Sequence, residues 1–190
     1  NKITSEQGVN SISMNLYPYE KSFDKTIDSE SKFVGLRIEP KIGTDFINNI
    51  RQIELAFDGI ATFNIYLYNS NLKTAIQTKE VTTVANESSI VELDWNLIDD
   101  ETYKGGVFYL GYFQDDLGSV KAIKKDYELA NVKIKNPYFC IQSISTDYSG
   151  TNINVQNVEY ESDVFGLNLI MNIYNDYTEL LIRNKQILAE

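Results

Sequence analysis

The fifteen residues GGVFYLGYFQDDLGS, from Gly105 to Ser119, hold a glycine pair, four aromatic rings and the adjacent carboxylates Asp115 and Asp116. Carboxylates beside rings suit two kinds of chemistry. One is acid–base work on a sugar, and the other is binding of calcium, which takes several hard oxygens and to which Gln114 or backbone carbonyls would add. Adjacent residues of a strand point to opposite faces, so only a loop brings both carboxylates to one ion. Aspartate is also a common turn residue in its own right. The stretch therefore reads as a buried strand that leaves through a polar turn. Asp115 and Asp116 stand as calcium candidates, and no catalytic or cofactor-binding residue is assigned.

The rest of the chain narrows the chemistry further. It has no histidine, which excludes Ser/His/Asp and Cys/His catalysis within the chain and every His-ligated zinc site. Cys140 is its single cysteine, so no intrachain disulfide can form. Within the apolar run YFCIQSI it is expected to be a small buried hydrophobe rather than a nucleophile. Asp99, Asp100 and Glu101 form a second acidic group, read as a solvated turn. Thirteen tyrosines and nine phenylalanines raise the possibility of a ring platform for sugars. Tyr66, Tyr68, Tyr109 and Tyr112 fall inside strand patterns, however, where cross-strand aromatic pairs are ordinary packing. Tyr17, Tyr19, Tyr148, Tyr160 and Tyr174 fall near strand ends, where a partner can reach them.

Composition bounds the setting. At 190 residues, with 43% hydrophobic and 23% charged side chains, the chain is expected to make one globular domain. No apolar run approaches the roughly 18 residues of a spanning helix, so no membrane partner is implied. Seventeen basic against twenty-seven acidic side chains leave a net charge of −10, which repels phosphate backbones and anionic lipids. Lys121, Lys124, Lys125 and Lys133 are interleaved with Asp126 and Glu128 and read as a solvated face, so no nucleic acid is expected. The chain opens on Asn1 without a basic-then-apolar leader and is expected to be a trimmed piece.

These residues must be placed by strands. SISMNLYPY alternates, with Ile12, Met14 and Leu16 on one side, and KFVGLRIEP forms another strand that ends at Pro40. GTDFINNIRQ is expected to make a short turn or helical bend. In RQIELAFDGIATFNIYLYNS two runs of β-formers flank Asp58-Gly59, which predicts a hairpin. A two-residue turn would split the apolar sets between faces. A three-residue loop from Asp58 to Ile60 instead pairs Phe57 with Ala61, Leu55 with Phe63 and Ile53 with Ile65. Further strands are predicted in AIQTKEVTTV, in SSIVELDWNL with Val91, Leu93, Trp95 and Leu97 on one face, in NPYFCIQSIS, in NINVQNVEY and in VFGLNLIMNIY. From Val107 to Phe113 nearly every residue is apolar or aromatic, which predicts a strand covered on both faces. Gly111 in its middle predicts a bulge or the close approach of another segment.

The period changes at the end. In NDYTELLIRNKQILAE, Tyr177, Leu180, Leu181, Ile187 and Leu188 recur at helical steps, and Asp176 with Glu179 makes a capping box. The reading is an antiparallel β-sandwich domain over 1–174 and the start of a C-terminal α-helical extension over 175–190. The five apolar helix residues are the expected interface.

Three segments carry a resemblance: FNIYLYNSNLKTAIQT, GGVFYLGYFQDDLG with the following KAI, and NDYTELLIRNKQILAE. Together they resemble structural proteins of tailed bacteriophages. The middle segment is similar to a jelly-roll sandwich of the galactose-binding kind, and the last to a helical extension of a virion subunit. The resemblance implies a non-enzymatic assembly module in the virion, around the neck or tail, with other virion subunits as partners and homo-oligomerisation in the particle. Galactose-binding-like folds often carry calcium and a sugar at loop ends, and only Asp115 and Asp116 correspond to such a feature. The alternative is a carbohydrate-binding module or adhesin on the same sandwich, with a glycan as partner.

Overall fold

The computed structural model describes residues 12–15, 26–27, 32–41, 46–97, 106–123 and 133–175. The expected helix with Tyr177, Leu180, Leu181, Ile187 and Leu188, the acidic group from Asp99, and Lys124 and Lys125 lie outside the described residues. In chain order the strands are β1 (Ile12–Asn15), β2 (Thr26–Ile27), β3 (Phe33–Pro40), β4 (Phe46–Phe57), β5 (Thr62–Asn69), β6 (Gln77–Thr82), β7 (Glu87–Leu97) and β8 (Phe108–Phe113). They continue with β9 (Ala122–Ile123), β10 (Lys133–Lys135), β11 (Phe139–Thr146), β12 (Tyr148–Ser149), β13 (Asn152–Ile153), β14 (Glu159–Tyr160) and β15 (Leu167–Asn175).

One sheet runs β1-β15-β4-β9-β2, with β7 also paired to β4; the other runs β10-β11-β3-β8-β5-β6, with β14 paired to β11. Every ladder is antiparallel. The two sheets bury a common core in a sandwich-like arrangement, as the alternating strands require. From the first sheet come Ile50, Ile53, Leu55, Phe57, Leu169 and Met171; from the second come Leu36, Ile38, Phe63, Ile65, Leu67 and Leu110. Phe165, Leu167, Leu169, Met171 and Ile173 all turn inward, as their alternation predicts. In β7, Val91, Leu93, Trp95 and Leu97 face the same core.

The expected hairpin at Asp58-Gly59 does not form. β4 pairs with β15 and β7, whereas β5 pairs with β6 and β8, so Asp58–Ala61 is a corner that carries the chain from one sheet to the other. Periodicity is blind to the difference, because a hairpin and an inter-sheet corner both aim Leu55, Phe57, Phe63 and Ile65 at one interior. The corner is held from outside its own strands. The Lys121 N–H donates to Asp58 Oδ1 at 2.8 Å, and the Asp58 N–H donates to the Lys121 carbonyl at 3.0 Å.

The expected bend in GTDFINNIRQ is also corrected: from Phe46 onward the chain is strand, gripped by β15 on one side and β7 on the other. Pairing on both sides outweighs the turn preference of asparagine. Asn48 and Asn49 find partners within the sandwich, Asn48 Nδ2 donating to the Tyr138 carbonyl at 3.3 Å and Asn49 Nδ2 to Asp94 Oδ1 at 3.0 Å and Asn96 Oδ1 at 2.7 Å. Asp94, at φ 54, forms a bulge opposite Arg51, where β7 spends one residue more than β4. Cys140 is half-buried rather than buried, because its neighbours Phe139 and Ile141 take the core side of β11.

Candidate functional site

All six residues of β8 are buried. Phe108, Leu110 and Tyr112 enter the sandwich core, whereas Tyr109 and Phe113 point the other way, into a second apolar cluster with Phe33, Tyr68 and Ile144. The two-sided cover read from the sequence is thus present, although Val107 at its start is only half-buried. The second cluster lies on the outer face of its sheet and has its own lid: Tyr148, Ile153, Val155 and Val158, from the segment that crosses over with β12 and β13, pack on it. In place of the single strand expected in NINVQNVEY, this segment carries two two-residue strands, β13 and β14.

Polar contacts fasten that strap. The Tyr68 hydroxyl donates to the Thr151 carbonyl at 2.6 Å, Thr146 Oγ1 donates to the Asn154 carbonyl at 2.7 Å, and Lys32 Nζ pairs with Asp147 Oδ1 at 2.6 Å. The Lys32–Asp147 pair is exposed and contributes little by itself. Rings pack beneath: Phe113 sits 5.1 Å from Phe33, 5.2 Å from Tyr66 and 4.6 Å from Tyr148, centroid to centroid.

β8 leaves through a 3-10 turn, Gln114–Leu117, that closes at Gly118 with φ 61. Gln114 is the buried anchor of the turn, its N–H donating to the Lys32 carbonyl at 3.1 Å and its Nε2 to the Val120 carbonyl at 2.8 Å. Asp115 and Asp116 are both exposed on this turn. Asp115 accepts a hydrogen bond from the Tyr148 hydroxyl and so clips the strap to the end of β8. Partial desolvation, and then the charge of Asp115, hold the Asp116 carboxyl above its ordinary range. Among the described residues no group of three or more His, Cys, Asp or Glu is placed to hold a metal ion. Asp115 thus serves the strap, and among the described residues no third carboxylate, thiolate or imidazole joins the two calcium candidates.

The tyrosines singled out in the sequence divide accordingly. Tyr68, Tyr109 and Tyr112 are buried. The Tyr112 hydroxyl donates across the core to the Phe165 carbonyl at 3.0 Å, and burial pushes its titration far above the usual tyrosine range. Tyr160 is different: it is 59% exposed, on β14, close enough to act electrostatically on Arg37 and Tyr109. Arg37 Nη1 in turn bonds Glu39 Oε2 at 2.9 Å. Sequence reading did not find the strap. Its signal, Tyr148, Ile153, Val155 and Val158 spaced without a strand's regular period, has no meaning until the surface it covers is known.

The Tyr148 clip predicts a pH dependence. The hydrogen bond to Asp115, then burial, then the charges of Asp115 and Asp116 push the Tyr148 phenol up to about 12 from its ordinary 10.0. A raised pKa means that the neutral phenol is the form the fold favours, so its contribution is complete below pH 10 and is lost as pH rises through 12. Denaturant titrations across this window should show a loss of stability in the wild type that is smaller in Tyr148→Phe. Equal losses in the two proteins would mean that the clip does not hold the strap in solution.

Comparison of the chain with protein-family models, with curated proteins and with solved structures finds no match.

Proposed function

We propose that the chain is a non-enzymatic structural module of a tailed-bacteriophage particle, placed in the virion around the neck or tail and acting through protein–protein interfaces. In this reading the sandwich has jelly-roll character, the segment 175–190 is the start of a helical extension, and the partners are other virion subunits and further copies of the chain. No cofactor, nucleic acid or membrane takes part. The observation that supports it best is where the chemistry-bearing side chains are used. Tyr68, Tyr109 and Tyr112 are buried, and Asp115 clips a strap to a strand end, so these groups serve the scaffold. A scaffold that spends its rings and carboxylates internally has its surfaces left for contact.

The second reading, a carbohydrate-binding module or adhesin, is favoured by one observation. Tyr160 presents a mostly exposed ring near the Arg37–Glu39 pair, a ring-plus-polar arrangement suited to stacking and hydrogen bonding of a sugar. A glycan array probed with the purified chain separates the two. The assembly reading expects a blank array, and genes flanking its own that encode capsid and tail proteins. Retention on a glycan that is abolished in Tyr160→Ala would replace it with the second reading.

A further inference from the structure

The strap, residues 147–158, is attached differently from the strands it lies on. It leaves the end of β11 and returns into β14, and Ser145 of β11 and Glu159 of β14 are ladder partners. Its two ends are thus held side by side, which makes it an Ω-loop. Its own strands, β12 and β13, pair with each other and, among the described residues, join neither main sheet. Other backbone bonds are local as well, the Asn154 N–H donating to the Asp147 carbonyl at 2.9 Å and the Gln156 N–H to Asn154 Oδ1 at 3.2 Å. A swing of the loop about its closure at Ser145 and Glu159 therefore breaks no ladder of either main sheet.

Burial agrees with this. No residue from Asp147 to Val158 is buried, and Tyr148, Ile153, Val155 and Val158 are half-buried. Beneath them Phe33, Tyr68, Tyr109, Phe113 and Ile144 are at most 4% exposed. The loop helps to keep these side chains dry while none of its own is withdrawn from water. Its fastenings lie at or near the surface: Lys32 to Asp147, Tyr148 to Asp115, and Tyr68 to the Thr151 carbonyl. Opening exchanges such bonds for bonds to water, so each contributes only modestly to closure. Units held in this way open well below the free energy of global unfolding.

We propose that the strap is a lid, which opens as a unit while the sandwich stays folded and which, when closed, covers a face of rings. Opening bares Phe33, Tyr68, Tyr109 and Phe113. Tyr160 lies beside them, since its ladder partner Ile144 belongs to the same cluster. The open form therefore extends the exposed Tyr160 ring into a wider aromatic face, and the strap decides when that face meets water or a partner. The device is independent of which of the two functional readings holds.

The test is thiol labelling of the whole 190-residue chain with iodoacetamide, in a Cys140→Ser background. Ile144→Cys places a thiol under the strap, and Ile141→Cys places one on the same strand but in the sandwich core. Without denaturant the thiol at 144 should be alkylated at least about 100-fold faster than the one at 141. Low urea should leave the rate at 144 nearly unchanged, because opening the strap exposes little surface, and should raise the rate at 141 with the slope of global unfolding. Adding Tyr148→Phe, which removes one fastening, should speed labelling at 144 about fivefold. In the unsubstituted chain, hydrogen exchange followed by mass spectrometry should show the Asn154 amide exchanging well before the amides of β3 and β8. Equal labelling at 144 and 141 with one urea slope, no response to Tyr148→Phe, or an Asn154 amide as protected as those of β8 would each overturn the proposal.

Discussion

Phe108→Ala should lower the unfolding free energy by about 3–5 kcal/mol, the range for a large ring deleted from a core that cannot collapse. Phe108 is 2% exposed and stands in β8 between Ile38 of β3 and Asn69 of β5, with both neighbouring strands hydrogen-bonded in place. Leu110 and Tyr112 on the same face hold the rest of the sheet at the same level, and the Tyr112–Phe165 hydrogen bond crosses the core beside them. Neither sheet can settle into the space left behind. A urea titration should show the midpoint falling with an unchanged slope, the mark of lost stability rather than of a changed unfolded state. A cost below about 1 kcal/mol would place Phe108 outside a packed core and would reopen the face of β8 as a binding surface.

Gly111→Ala should be at least as damaging, at more than about 4 kcal/mol, although it adds a single methyl group. Gly111 and Gly35 lie directly opposite each other in an unshifted ladder between β8 and β3. A Cβ at Gly111 would sit 2.1 Å from the Val34 carbonyl oxygen and 2.9 Å from Phe33 Cζ; one at Gly35 would sit 2.0 Å from the Leu110 carbonyl oxygen. The obstacle is backbone, so no side-chain rotation relieves it. Both strands are interior to a sheet and cannot separate without breaking ladders on their far sides. Gly150→Ala is the contrast: its φ of +63 makes alanine unfavourable, yet a Cβ there meets nothing within 4 Å. It should cost only about 1–2 kcal/mol, the strain of a left-handed conformation alone. Thermal melts of the two variants would test the difference, and a Gly111→Ala protein that melts with Gly150→Ala would show that β3 and β8 are not as closely apposed as described.

The glycine in the middle of β8 could be read from the sequence as a place of close approach, but the approaching segment could not. Gly35 is more than seventy positions away in the chain, and nothing local to either glycine announces the other. The same limit explains the corner at Asp58. Alternation in IELAF and TFNIYL says which side chains turn inward, and those residues are buried. Whether the inward faces belong to neighbouring strands of one sheet or to opposed sheets depends on which backbone groups each strand finds to bond. That is settled by β15, β7, β8 and β6 together, from far along the chain.

What the sequence by itself determined is the class of fold and the content of its core. A period of two, carried by β-branched and aromatic residues, makes strands that must bury one face, and the continuous apolar run of β8 must bury both. It also determined, through the absence of histidine and the single cysteine, which chemistries the chain does not have. The tertiary structure alone decided what covers the outer face of β8, that Asp115 holds Tyr148, that Tyr160 faces water, and that β7 pairs with β4. The physical reason is the range of the interactions. Side-chain alternation acts between residues two apart and is written in the chain, whereas cover, clip and strand pairing arise from contacts between segments tens of residues apart, whose partners are chosen by the free energy of the whole sandwich.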